Sequence, residues 1–155
     1  MLKWLAYSIS LIGHPLFVFF LGLTYFWFAD HTFFFIHPKG APYIFALVFL
    51  TTVLLPAAFV SLVNKGFLLE SREDRYFPLI GTGLFYLLAW FILQMLPFPD
   101  FLGRFLLALT VGIFVLFGLN FRWKVSMHST AFGALISLFV YLHLTKAGAL
   151  IYPLA

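Results

Sequence analysis

The sequence predicts an all-α fold, a polytopic transmembrane bundle of about five helices forming one domain over residues 1–155. Three observations carry this expectation. Of the 155 residues, 64% are hydrophobic, 22% aromatic and only 9% charged, where a soluble domain has about 45–50% apolar and about 25% charged residues. The apolar residues, which give a mean hydropathy of +1.08, fall into five runs, each close to the roughly 20 residues that cross about 30 Å of hydrocarbon. None of the runs alternates as a strand would, so helices, which satisfy their backbone within one segment, are expected rather than a barrel. So few charges cannot cover an exterior in water. Soluble, disordered and nucleic-acid-binding classes are thereby excluded, and no nucleic acid is expected as a partner.

The first run extends roughly from Leu5 to Phe28 after Lys3. It exceeds the 7–15 residues of a signal-peptide core and ends without an Ala-x-Ala site, so it reads as a retained helix. A loop rich in turn formers follows, His37-Pro38-Lys39-Gly40-Ala41-Pro42, whose prolines and glycine are expected to stop both neighbouring helices. The second run covers about 43–63 and the third about 79–97, with Pro97-Phe98-Pro99-Asp100 as the next break. The fourth covers about 101–121 and carries Arg104 near its start. A tight hairpin, Asn120-Phe121-Arg122-Trp123-Lys124, leads into the fifth, about 127–144. The tail after Lys146 is too short to cross again. No internal repeat or second domain is visible. There is no cysteine, which removes disulfides, thiolate metal sites and Fe–S clusters.

Topology follows from the placement of the cations behind the net charge of +4. With the N-terminus inside, the inner side holds six (Lys3, Lys65, Arg72, Arg75, Arg122, Lys124) and the outer side three (Lys39, Arg104, Lys146). The positive-inside rule therefore favours N-in and, with five spans, C-out. Trp27, Tyr43, Trp123 and Tyr141 fall near span ends, where an interfacial aromatic belt belongs.

Two segments on that inner face concentrate the polar chemistry. The first runs from Lys65 to Pro78. Ser71 with Asp74 resembles a capping box at the start of helix three, and Arg72 and Arg75 share a helix face. Its plain interpretation is a topology-fixing charged loop with local ion pairs. The second is Arg122-Trp123-Lys124-Val125-Ser126-Met127-His128-Ser129-Thr130 at the mouth of helix five. Hydroxyls and amides at a helix N-terminus suit an oxyanion, and a histidine there can donate a proton near neutral pH. The alternative is equally open: Ser126 caps the helix and His128 is an interfacial histidine. Two spans separate the segments, so both emerge on one membrane face. Lys65, Arg72, Arg75, Lys124 and Ser126 are the candidate phosphate-binding residues, and His128 is the candidate catalytic acid.

The stretch Lys124-Val125-Ser126-Met127-His128-Ser129, followed by Ala131-Phe132-Gly133-Ala134, resembles the second signature of the type 2 phosphatidic acid phosphatase superfamily. It is most similar to small bacterial membrane proteins, often from Bacteroidetes, assigned to that superfamily. These share a His-Pro in the first helix, here His14-Pro15, and an Arg-x-x-Arg stretch before proline, here Arg72 to Pro78. Lys65 and Arg72 fit the spacing of the first signature, with Glu73 in place of its proline; Val125 and Met127 replace the proline and glycine of the second. The resemblance implies that Lys65, Arg72 and Ser126 hold phosphate and that His128 protonates a leaving alcohol. It also implies a multi-pass protein of the bacterial inner membrane acting on a lipid phosphomonoester or isoprenoid diphosphate. The third signature, with its nucleophilic histidine, is missing: His143 lies fifteen residues beyond His128, about 22 Å along a helix. A sixth helix encoded downstream would restore it.

Other residues have plainer accounts. His14, midway through helix one, is expected to satisfy carbonyls freed by Pro15, with a haem or pigment as the alternative. His31 and His37 fall in the loop. No metal-ligand spacing occurs, and no cofactor is read from the sequence. Ser129, Gly133 and Ser137 recur every four residues on helix five as a packing stripe, within the bundle or toward a partner. The 23 phenylalanines face lipid or cofactors. Two functions are thus expected: an enzyme or enzyme remnant of the lipid-phosphate phosphatase type, or a non-catalytic subunit packing against a larger membrane complex that carries electron-transfer or pigment groups. Membrane lipids, such a complex or a second copy of the chain are the expected partners.

Overall fold

In the computed structural model, residues 15–29, 39–64, 73–96, 100–123 and 125–151 are described. They form five helices, with no strand among them. Helix α1 (Val18–Ala29) is entered through the 3-10 turn Pro15–Phe17. Helix α2 is one rod built from Ala41–Phe49, the π-helical segment Leu50–Leu54 and Leu55–Asn64. Helix α3 (Tyr76–Gln94) follows the 3-10 turn Glu73–Arg75. Helices α4 (Asp100–Asn120) and α5 (Met127–Ile151) complete the bundle.

Three of these rods are long and apolar enough to cross a membrane: Ala41–Val63, Glu73–Gln94 and Asp100–Asn120. The apolar parts of the other two, as described, are shorter, Val18–Trp27 and Met127–Tyr141. Large apolar side chains cover the exterior, Leu62 at 82% exposure and Phe91 and Val111 at 55%. That much exposed hydrocarbon suits lipid and not water.

Among the described residues, helices α3 and α4 pack together most extensively, as an antiparallel hairpin; α2 packs on α3, and α1 lies between the π segment of α2 and α5. All five helices feed one core. Phe19, Leu23 and Phe26 of α1 meet Ile44 and Val48 of α2, Tyr86, Ala89 and Leu93 of α3, Leu102 and Leu106 of α4, and Leu138 of α5. Their spacing of three and four residues is the helical period that keeps one face inward. Several phenylalanines, expected to face lipid or cofactors, instead pack on each other here: the Phe19–Phe105 and Phe26–Phe101 ring centroids are 6.0 and 5.3 Å apart.

The helix ends differ from expectation where proline is concerned. Pro42 lies in the first turn of α2, after the cap residue Gly40, and starts that helix where it was expected to stop it. Pro78 likewise sits in the first turn of α3, which begins at Tyr76 and not near residue 79. A first-turn N–H has no partner one turn back, so proline loses nothing there. The cap of α3 is Arg75, which makes no side-chain cap bond; Ser71 of the expected capping box lies outside the described residues. Helix α5 runs past residue 144 to Ile151.

Pro56, fully buried, has no such excuse. It follows the π segment, in which the Leu55 N–H reaches back to the Leu50 carbonyl. The widened turn gives the proline ring room against the carbonyl of Thr52, four residues back. Thr51 and Thr52 return their hydroxyls to the carbonyls of Leu47 and Val48 at 2.8 and 2.7 Å, so no buried hydroxyl is stranded.

Gly81 and Gly83 set the two flanks of α3. A Cβ at Gly81 would collide with the Phe59 ring of α2, and one at Gly83 would stand 2.9 Å from the Phe114 ring of α4. Glycine lets both aromatic rings lie directly on the α3 backbone, as small residues do at close helix crossings.

Candidate functional site

The starts of α3 and α5 meet at one end of the bundle. Arg75 donates from Nη1 to the Val125 carbonyl at 2.8 Å, a half-buried bond across fifty positions of sequence. It joins the two polar segments that the chain separates by two spans. The guanidinium cannot lose its charge, so the carbonyl is held by a charge-assisted bond. The next residue opens α5. Ser126 accepts at Oγ from the Ser129 N–H (3.3 Å) and the Ser129 hydroxyl (3.0 Å), while its carbonyl receives the Thr130 hydroxyl at 3.1 Å. Ser126 is therefore the N-cap of α5, the plainer of its two expected roles. Capping leaves it at the positive end of the helix dipole.

His128 lies in the first turn of α5 and is half-buried. It interacts with its surroundings, and its Nε2 is a buried atom without a hydrogen bond among the described residues. The turn before α5 closes through Arg122 N–H and Trp123 N–H on the Leu119 carbonyl, at 3.1 and 3.0 Å. Tyr76, Phe117 and Phe121 form an aromatic cluster beside it, with Tyr76–Phe121 and Phe117–Phe121 centroids 5.0 and 4.9 Å apart. Trp123 projects into the surroundings, as the interfacial belt requires.

Directly below this polar rim lies an apolar cavity of about 190 Å³. Pro78, Thr82 and Tyr86 of α3, Gly112 of α4, and Met127 and Ala131 of α5 are among its walls, with Leu16 closing one side. The cavity exists because the facing positions are small: Ala108 and Gly112 on α4 oppose Ala131 and Ala134 on α5. At its deep end Tyr86 donates its hydroxyl to the Leu16 carbonyl at 3.2 Å, fixing the entry turn of α1 against α3.

Of the candidate residues, Arg75, Ser126 and His128 are thus placed at one end of the bundle. Lys65, Arg72 and Lys124 lie outside the described residues, as do His14, His31 and His37. His143 sits on the same unbroken helix as His128, about 22 Å further along, and among the described residues no second histidine stands at the His128 end. The stripe Ser129, Gly133, Ser137 is exposed, and nothing lies within 4 Å of a Cβ built on Gly133. The faces of α5 that pack inward are those of Ala131 and Leu138.

Comparison with known sequence families, characterised proteins and solved structures returns no match. The site stands on its own geometry.

Sequence reasoning missed two residues at this end. Asn120 reads as an ordinary turn residue, yet it is only 1% exposed and hydrogen-bonds or otherwise pairs within the fold. A lone amide ending a long apolar run was its signal, because a polar side chain at that depth needs a partner. Tyr86 reads as one aromatic among many, and nothing in the sequence marks its hydroxyl as the link to α1.

Proposed function

We propose that this chain is a membrane protein that holds a phosphate-bearing lipid where α3 and α5 begin, in the manner of the type 2 phosphatidic acid phosphatases its sequence resembles. One juxtaposition carries the reading: the Arg75–Val125 clamp and the capped start of α5 lie immediately above the 190 Å³ apolar cavity. A guanidinium and a helix N-terminus over a hydrocarbon-lined pocket match a lipid with an anionic head and an apolar tail. Arg75 supplies charge at this end, with Lys65, Arg72 and Lys124 as the further cations the sequence puts forward; the α5 N-terminus at Ser126 supplies the dipole; His128 is the group to protonate a leaving oxygen. The resemblance points to the bacterial inner membrane, and the cation count favours the N-terminus inside. Hydrolysis requires a nucleophile that the described residues do not supply at this end, so binding is the minimal activity.

The test is phosphate release and lipid retention by the purified protein in detergent, using phosphatidic acid and an isoprenoid diphosphate, beside His128→Ala. Release that vanishes in the variant supports an enzyme completed by a group outside the described residues. Retention without release supports a binding protein. Neither retention nor release overturns the proposal.

The non-catalytic alternative has its own observation. The outward face of α5 carries Phe132, Ile136 and Val140 beside the open Gly133, a surface on which a further helix can lie closely. Co-purification in a mild detergent with a larger complex, and no lipid retention, would decide for that subunit role.

A further inference from the structure

A second space, with a volume of about 500 Å³, lies between α4 and α5 toward the other end of the bundle and adjoins the first at Ala108, Leu109 and Ala134. Phe101, Phe105, Leu109 and Leu138 give it apolar walls, and Arg104 and Tyr141 stand at its rim. Its size falls in the range of small-ligand sites, about 300–1,000 Å³. A helix about 10 Å across would displace on the order of 1,800 Å³ over the 15 residues from Met127 to Tyr141. A hydrocarbon chain fits the space and a helix does not.

The rim carries both signs of charge. Arg104 and Asp100 are one helical turn apart at the start of α4, 82% and 87% exposed, with Nη2 and Oδ2 separated by 3.9 Å. An exposed pair at that distance holds its members only weakly. Each therefore keeps its capacity for a stronger charge-assisted partner. Arg104 sits about 6 Å inside the helix start, close enough for its long side chain to reach the headgroup region. The pair has no net charge and gives no advantage to a headgroup with net charge. It complements a dipolar one, phosphate on the guanidinium fork and ammonium on the carboxylate.

We infer that this cleft binds one phosphatidylethanolamine molecule from the leaflet opposite Arg75, with its phosphate on Arg104, its primary ammonium on Asp100 and an acyl chain between α4 and α5. A choline headgroup has no N–H to offer Asp100, and a glycerol headgroup no cation. The site shares no charged residue with the lipid-phosphate site, although Ala108, Leu109 and Ala134 line both spaces.

Native mass spectrometry of the full chain in detergent, titrated with dioleoyl phosphatidylethanolamine, phosphatidylglycerol or phosphatidylcholine, tests this directly. One phosphatidylethanolamine should be retained at five-fold or greater excess over the other two. Arg104→Gln and Ser137→Phe, both at exposed positions, should each abolish that excess, the first by removing the phosphate contact and the second by filling the cleft. Asp100→Asn should level the three lipids. Arg75→Gln should leave the excess unchanged while lowering retention of phosphatidic acid, which separates this site from the other. Equal retention of the three lipids by the native chain, or an excess that survives Arg104→Gln, would overturn the inference.

Discussion

Replacing Arg75 by Met removes its bond to the Val125 carbonyl, which ties the start of α3 to the start of α5, while much of the side chain's apolar stem is kept. The bond is 2.8 Å long and its donor is charged. Hydrogen bonds to charged groups contribute about 1.5–3 kcal/mol net. Arg75 is half-buried, and water at the interface can reach part of what is lost, so the lower end of that range applies, about 1.5 kcal/mol. That is roughly a tenfold change in the population with the α5 entrance docked. The Arg75→Met protein should lose about that much unfolding free energy in a detergent-based denaturant titration. Amide exchange should accelerate about tenfold in the first turn of α5, at residues 127–130, and stay unchanged in the middle of α3. Arg75→Lys should fall between, because an ammonium donates as a point charge without the guanidinium fork. Phosphatidic acid retention should drop in the same order. An Arg75→Met protein within about 0.5 kcal/mol of the native chain, the range of ordinary surface substitutions, with unchanged exchange at 127–130, would refute the clamp.

Three further substitutions test the packing around this site. Gly81→Ala drives a methyl into the Phe59 ring and should cost about 1–3 kcal/mol as overpacking, with much of it recovered when Phe59→Leu is added, as a double-mutant cycle in the same titration would show. Tyr86→Phe deletes the bond to the Leu16 carbonyl and should cost about 1 kcal/mol; exchange at residues 16–18 should rise while α4 is unaffected. Ser126→Ala removes the α5 cap at a cost of about 0.5–2 kcal/mol, and Ser126→Asp should restore stability but not phosphatidic acid retention, because a capping carboxylate repels the anion. If Ser126→Asp retains the lipid as well as the native chain, the phosphate does not sit at the α5 N-terminus.

The all-helical fold was legible because lipid imposes length and apolarity on each crossing, and the runs at 43–63, 79–97 and 101–121 match α2, α3 and α4 to within three residues or so. Proline was the source of error at their ends. Pro42, Pro78 and Pro56 look alike in sequence, but two occupy first turns and the third rests on a π-widened turn, and only the backbone register distinguishes them. The site was legible as chemistry and not as geometry. Arg75, Ser126 and His128 announce themselves by charge and hydroxyl spacing, and two intervening spans place them on one face. That Arg75 bonds the Val125 carbonyl, however, depends on which helices are neighbours. The small-residue stripe shows the same limit: Ser129, Gly133 and Ser137 have the spacing of a close helix contact, yet the residues facing α4 across the cavity are Ala131 and Ala134, one and two positions away from members of the stripe.

The cavity under the rim follows from how this bundle solves its packing. Where α3 meets α2 and α4, glycine carries an aromatic ring on each flank, Phe59 over Gly81 and Phe114 over Gly83, and no space is left. Where α4 and α5 line the cavity, small residues stand on both sides, Ala108 and Gly112 on α4 and Ala131 and Ala134 on α5, and no aromatic ring of either helix is among its walls. Small residues opposite small residues bring helices together only if the backbones approach, and here α5 leans on α1 more than on α4. The Arg75–Val125 bond and the Ser126 cap hold the entrance of α5 at a fixed place while its body stands off from α4. In a bilayer such a gap does not stay empty, since hydrocarbon is the solvent and its contacts are regained only when a chain enters. The same few residues therefore fix Arg75 and the N-terminus of α5 at one end and leave below them a space open to hydrocarbon, which is the arrangement the proposed phosphate-bearing lipid would occupy.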